Sequence, residues 1–299
     1  MRLGIVVVYM ALPGDEGLVD LHLRYIERYT RVPFTLYAAA NRLPADLRNR
    51  LATKPYVRVC SIPATDLRSS LEHAYYLERL IATAIADDVT YVAILHVDSF
   101  PIRSGWATDL AAKLSSRYSF AAIVRDEARD PKPITACLFF PREFYVHYQP
   151  KLLLPRAAMR SATGQEYVRS LANPDESGTG YGFLAFKEGL QWFPLRRTNL
   201  REEHYYFGSI HEDLVFHLGS AASESRGFSG AREYVWMRRA RRKASVLLPR
   251  MMKKFLKALI PQRILVPESP AHQRAYSSVR EALIEDPEGY LRYLRTGRR

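Results

Sequence analysis

The sequence predicts an α/β protein whose mostly parallel sheet carries helices on both faces. Three observations predict it. Strand-like and helix-like segments alternate through the first half of the chain, the pattern of crossover connections between parallel strands. Short apolar runs end abruptly at polar residues, as buried strands do at the edge of a sheet. The chain of 299 residues, 47% hydrophobic and 12% aromatic, is long and apolar enough for a large folded core.

Each element has its own justification. Arg2–Tyr9 is a β-branched apolar run and reads as the first strand. Gly17–Tyr29 sets Leu18, Leu21, Tyr25 and Ile26 at helical spacing. Pro33–Ala39 and Val57–Ile62 read as strands, with a short helix over Ala45–Ala52 between them. Leu71, Ala74, Tyr75, Leu80, Ile81, Ala84 and Ile85 make an apolar stripe that predicts a long helix over Ser70–Ala86. A strand over Val89–Leu95, a helix over Gly105–Ser115 and strands over Phe120–Val124 and Ala136–Phe140 follow. Loop signals fill Pro150–Asp175 around a short helix at Gln165–Leu171, and a helix over Gly178–Glu188 precedes a strand at Gln191–Leu195. From Ala231 onward arginine and lysine interleave with Val235, Trp236, Met237, Leu247, Leu248, Met251 and Phe255, a basic amphipathic pattern, and Pro267–Arg299 reads as a polar helical extension.

Composition narrows the partners. The formal net charge of +13 favours anionic ligands such as nucleotides or lipid headgroups. No apolar run is long enough to cross a bilayer, and the apolar N-terminus is too short for a signal peptide. Cys60 and Cys137 both lie in strand-like apolar surroundings and read as buried thiols, so a cytoplasmic location is expected. No G-x-G-x-x-G, G-x-x-x-x-G-K-[ST] or G-x-S-x-G occurs, which argues against a standard dinucleotide enzyme, a P-loop enzyme and an α/β-hydrolase.

Four constellations carry chemistry. In Tyr91-Val-Ala-Ile-Leu-His-Val-Asp-Ser-Phe-Pro101 an apolar strand ends in His96 and Asp98, where open α/β sheets bind ligands. Residues i and i+2 of an extended segment point the same way, so both side chains reach one cation; the alternative is that Asp98 caps a turn. His217 follows the apolar Leu214-Val-Phe216 and either completes that metal site or is a satisfied core residue. In Asn173-Pro-Asp-Glu-Ser-Gly-Thr-Gly180, Asp175 or Glu176 can serve as general base, against plain helix capping. Ser69-Ser-Leu-Glu-His-Ala74 opens the long helix, whose N–H groups attract phosphate, with Ser70 and His73 within reach.

Together these stretches resemble a GT-A-type glycosyltransferase, similar to family 2 and its relatives, over about residues 1–220. The resemblance implies a Rossmann-type, GT-A-like domain over 1–230, with a nucleotide-sugar half at about 1–100 and an acceptor half at about 101–230, and a basic helical C-terminal extension over 231–299. His96-Val97-Asp98 stands where such enzymes carry Asp-x-Asp, so His96 replaces the first aspartate. Asp98 and His217 are then the implied ligands of Mn²⁺ or Mg²⁺, and Asp175 or Glu176 the catalytic carboxylate. Tyr9, Asp66, Ser70, His73 and His96 are the candidate contacts to the donor nucleotide. The implied reaction moves a hexose from GDP-mannose or a UDP-hexose to a hydroxyl of a saccharide or glycolipid acceptor. The implied partners are that donor and acceptor, an anionic membrane surface touched peripherally through 231–257, a second copy of the chain in a homo-oligomer, and no nucleic acid.

Two rival readings stand beside it. His96-Val-Asp98 and His211-Glu-Asp213 repeat a His-x-Asp pattern that could build a two-metal phosphoesterase. The basic segment could instead mark a non-enzymatic membrane-binding module.

Overall fold

A computed structural model describes residues 1–10, 16–125, 130–171, 174–201, 204, 206–219 and 270–298. In chain order the elements are β1 (Leu3–Met10), α1 (Glu16–Tyr29), β2 (Phe34–Arg42), α2 (Ala45–Ala52), β3 (Val57–Val59), α3 (Ser70–Ala86), β4 (Tyr91–Leu95) and β5 (Ser99–Pro101). They continue with α4 (Trp106–Ser116), β6 (Ala121–Arg125), β7 (Asp130–Pro141), α5 (Arg142–Tyr148), α6 (Arg156–Arg160), α7 (Ala162–Arg169), α8 (Thr179–Glu188) and β8 (Phe193–Leu195). Two short strands, β9 (Ser209–His211) and β10 (Val215–His217), and two helices, α9 (Pro270–Glu285) and α10 (Pro287–Thr296), complete the described chain.

Seven strands form one sheet in the order β3-β2-β1-β4-β7-β6-β8. The first four run parallel, β7 is antiparallel to both β4 and β6, and β8 is parallel to β6. The α/β class and the mostly parallel sheet are as expected, and the arrangement is consistent with the Rossmann-like GT-A fold that the resemblance implies. Alternation along β1 explains why both faces need helices. Leu3, Ile5 and Val7 pack on one side with Val19, Leu23 and Ile26 of α1, with α2, and with Trp106 and Leu110 of α4. Val6 and Val8 pack on the other with α3, with Phe144 of α5 and with Tyr181 and Ala185 of α8. A strand buried on both faces must be apolar throughout, which is how β1 and β4 read.

A second, three-stranded sheet has the order β5-β10-β9 and lies beyond the end of β4. Its Phe100, Ile210 and Phe216 pack against the outer side of α1 through Leu18, Leu21 and Tyr25. The expected polar tail is corrected here. Tyr276, Val279 and Leu283 of α9 and Tyr290, Leu291 and Leu294 of α10 are buried in that same cluster. The helix pair is amphipathic, and its apolar stripe finds a partner in the small sheet. Tyr25 donates to Glu288 (2.8 Å), tying α1 to α10. Asp286 caps α10 by accepting from the backbone N–H of Gly289 (2.9 Å). The basic stretch 231–257 lies outside the described residues. No helix among the described residues is long and apolar enough to cross a membrane.

The two cysteines differ. Cys137, on β7, is fully buried and desolvation pushes its thiol up to about 12; Cys60 is only half-buried, and its thiol is raised more modestly by burial. A thiol titration of native protein with an aromatic disulfide reagent is therefore expected to modify Cys60 slowly and leave Cys137 untouched, with both reacting in denaturant. Fast native modification of two thiols would contradict this placement.

Candidate metal centre

The site is built by three strand ends. β4 stops at Leu95, and His96 to Ser99 form a turn closed by a hydrogen bond from Ser99 N to the His96 carbonyl (3.0 Å). The expected extended i, i+2 geometry is thus replaced by a turn that brings His96 and Asp98 to one side. β7 braces the turn: Leu95 pairs with Cys137, and His96 N donates to the Ala136 carbonyl (3.4 Å). The small sheet supplies the third member. β10 runs antiparallel to β5 with His217 opposite Ser99, which carries His217 to Asp98. Two backbone donors seal the junction: Leu218 N to the Asp98 carbonyl (2.9 Å) and Gly219 N to Asp98 Oδ2 (3.1 Å). Asp98 thus accepts from Gly219, just past β10 and 121 residues away in sequence.

Asp98 is 3% exposed and His217 6% exposed, whereas His96 keeps a partly open edge. His96 Nδ1 lies 3.9 Å from Asp98 Oδ1, and His217 Nε2 lies 3.9 Å from Asp98 Oδ2. One ligand atom from each residue falls within 4.8 Å of the others. Ligands bonded to one first-row cation at about 2.1 Å stand roughly 3.0–4.2 Å apart, so this triad fits such an ion after a small contraction. Two imidazoles and one carboxylate suit Mn²⁺, Co²⁺ or Zn²⁺ better than Mg²⁺, which prefers oxygen donors.

Polar side chains back the triad. His96 Nε2 is 3.0 Å from Thr135 Oγ1, Thr135 Oγ1 is 2.7 Å from Ser177 Oγ, and Ser177 Oγ is 3.4 Å from His73 Nδ1. The His73 ring meets His96 edge-on at 4.9 Å. Desolvation lowers His73 to about 4, with the Asp98 charge opposing the shift. Behind the turn, His22 is fully buried and accepts or donates through Nδ1 to the Tyr9 hydroxyl (2.8 Å). Burial lowers His22 to about 3; the nearby backbone of Ser99 and His96 partly offsets this, although Nε2 makes no full hydrogen bond.

The carboxylate loop abuts this network through Ser177. Glu176 is held by Lys132 of β7 at 2.8 Å, and Lys132 is 1% exposed. Such a buried cation persists only because a carboxylate sits beside it. Asp175 is exposed. The loop lies this close because of its glycines. A Cβ at Gly178, whose φ is +101°, would stand 2.4 Å from the Pro133 carbonyl oxygen, and one at Gly180 would stand 1.9 Å from that of Lys151.

The remaining candidates fall in different places. Tyr9 sits beneath the site, its hydroxyl occupied by His22, so its side chain supports the turn and does not line a nucleotide surface. Asp66 is exposed in the loop before α3, and no hydrogen bond or ion pair joins it to the triad among the described residues. Ser70 opens α3 half-buried; Ser69 before it has φ +56° and makes no side-chain cap, contrary to a simple capping role. His211 bonds the Leu195 carbonyl (3.2 Å) and Ser209 Oγ (2.9 Å), and Asp213 faces Arg295, so the two-metal reading loses its second His-x-Asp pair. Sequence reasoning missed His22, Lys132 and Thr135. Lys132 follows a charged stretch, Arg125-Asp-Glu-Ala-Arg-Asp130, and nothing in that pattern sets it apart from its charged neighbours.

The sequence matches no known family model and no curated protein. Among solved structures the fold is similar to mouse xyloside xylosyltransferase 1 (8% identity, TM-score 0.40, covering 65% of this chain and 85% of that one). It is also similar to TarS of S. aureus (11%, 0.38, 59% and 57%) and to a protein from Desulfovibrio desulfuricans G20 assigned as a nucleotide-diphospho-sugar transferase (11%, 0.39, 65% and 79%). Likeness at this level transfers no residue roles.

Two outcomes are expected from this geometry. Gly178→Ala should cost roughly 2 kcal/mol or more, from the positive φ and the clash with Pro133, read as a lower urea midpoint. His22 has a folded pKa below its ordinary 6.5, so the unfolded chain takes up the proton first as pH falls. Its contribution is complete above about 6.5 and is lost progressively toward about 3. The urea midpoint should therefore fall between pH 7.5 and 5, with a shallower fall in His22→Asn; His73 contributes with the same sign and keeps the variant's profile from being flat.

Proposed function

We propose that the protein is a nucleotide-sugar-dependent glycosyltransferase in which His96, Asp98 and His217 hold a divalent cation against the donor diphosphate. One observation carries the reading: three ligand atoms from two distant parts of the chain converge within 4.8 Å at the carboxyl end of β4. That end adjoins the point where the sheet order turns, between β1 and β4, and open α/β sheets bind nucleotides in the crevice there. The resemblance of the motif around His96-Val97-Asp98 supports the same class of reaction.

The residues divide the work. A cation in the triad supplies positive charge for the diphosphate that leaves. Asp98, fixed by two backbone N–H groups, holds the ligand set rigid without reorganisation. His73 and Ser70, at the start of α3, line the approach to the nucleotide. Asp175 is the exposed carboxylate available to take the proton of an acceptor hydroxyl, whereas Glu176 is engaged by Lys132 and anchors the loop. The transferred group is a hexose, from GDP-mannose or a UDP-hexose, and the acceptor a saccharide or glycolipid. The net charge of +13 favours such anionic donors, and the basic stretch 231–257 favours peripheral contact with anionic lipid on the cytoplasmic side.

Calorimetric titration with a panel of nucleotide sugars, with and without Mn²⁺, tests the assignment. Wild type should bind at least one donor in a Mn²⁺-dependent manner. Asp98→Ala should weaken that binding more than roughly 100-fold, since even outer-shell partners of a metal are worth about 10–100-fold. Equal Mn²⁺-dependent binding by Asp98→Ala would refute the metal centre.

A further inference from the structure

His96 presents two chemically distinct nitrogens to two different neighbours. Nδ1 is 3.9 Å from the Asp98 carboxylate and is the nitrogen turned toward that ligand. Nε2 is 3.0 Å from Thr135 Oγ1. A neutral imidazole has one protonated nitrogen and one lone pair, and a metal takes the lone pair. If Nδ1 binds the cation, Nε2 carries the proton and needs an acceptor. Histidine ligands commonly find a carboxylate or a backbone carbonyl in that place. Here the acceptor is a hydroxyl, which must in turn give its own proton away, because Thr135 is 1% exposed. Ser177 Oγ stands 2.7 Å from Thr135 Oγ1, itself only 6% exposed, and receives it. The chain ends at His73 Nδ1, 3.4 Å further on, its longest step.

We infer that Thr135, backed by Ser177, is a positioning residue of the metal centre: it accepts the Nε2 proton of His96 and so commits Nδ1 to the cation. The inference rests on the metal-binding reading above. It also explains two features that reading leaves open. A hydroxyl pair is buried between β7 and the loop before α8, where apolar residues would pack at lower desolvation cost. The same loop is drawn close by Gly178 and Gly180 and pinned by the Lys132–Glu176 pair, which holds Ser177 in register with Thr135. The metal triad and the carboxylate loop are thereby joined by two side-chain hydrogen bonds.

The test is a Mn²⁺ titration of the full chain, with thermal unfolding recorded in parallel. Thr135→Val keeps the shape and removes the hydroxyl; it should bind Mn²⁺ about 10–100-fold more weakly. Thr135→Ser keeps the hydroxyl and should restore affinity close to that of wild type, which a role in packing alone would not do. Thr135→Val binding Mn²⁺ as tightly as wild type overturns the inference while leaving the metal centre intact. A wild type that binds neither Mn²⁺ nor Zn²⁺ overturns the metal centre and this inference with it. Should Thr135→Val fail to fold, long-range ¹H–¹⁵N spectra of Zn²⁺-loaded wild type decide. Nδ1 of His96 bound and Nε2 protonated supports the inference, and the reverse overturns it.

Discussion

The junction between Asp98 and the Leu218–Gly219 backbone holds the rest of the site in place. Two N–H groups from the end of β10 converge on one aspartate, one on its carbonyl and one on its carboxylate. These bonds do more than satisfy Asp98, which is almost wholly buried and would otherwise be costly there. They set the register of the small sheet against the end of the large one. With Ser99 opposite His217, the second imidazole arrives beside the carboxylate; a shift of one residue would turn it to the other face. The small sheet is held in turn by α1 and by the C-terminal helix pair, which support the strand that carries His217.

The centre is polar in a region that is mostly core, and the fold compensates most of its polar groups, although His22 Nε2 and the buried Ser99 hydroxyl have no hydrogen-bond partner among the described residues. His22 supports the turn from behind with the Tyr9 hydroxyl; Thr135 and Ser177 take up the outer nitrogen of His96; Lys132 and Glu176 neutralise one another. Buried groups of this kind stabilise little and are retained where geometry matters more than stability. Ser69, at φ +56° just before α3, places backbone strain four residues from His73 at the edge of this region. The glycines of the Gly178–Gly180 loop show the complementary device, an absence of side chains that lets two backbones approach.

Much of the large sheet was legible. α2 and α3 begin and end where their apolar spacing places them, and β1, β2, β4, β6 and β7 are all visible as apolar or β-branched runs. The small sheet was not. Ser99–Pro101, Ser209–His211 and Val215–His217 are each too short to show an alternation, and Pro101 argues against a strand by ordinary rules. The tail reads as polar because its buried residues are spread one or two per turn among arginines and glutamates. Tyr9 reads as a strand-end residue open to ligand, but its ring turns inward toward His22, a contact between β1 and α1 that no local pattern encodes.

By itself the sequence determined the class of fold, the apolar strand that ends at His96 and Asp98, and the candidacy of His217. Those features live in local composition and spacing, which set strand and helix periodicity independently of the rest of the chain. Only the tertiary structure decided that Asp98 and His217 meet, that His96 uses one nitrogen toward Asp98 and the other toward Thr135, and that Glu176 is tied to Lys132. Apart from the His96–Asp98 approach, each is a contact between segments dozens of residues apart, fixed by backbone register and close packing. Hydrogen-bond direction and distance are properties of that packing, and no linear spacing carries them.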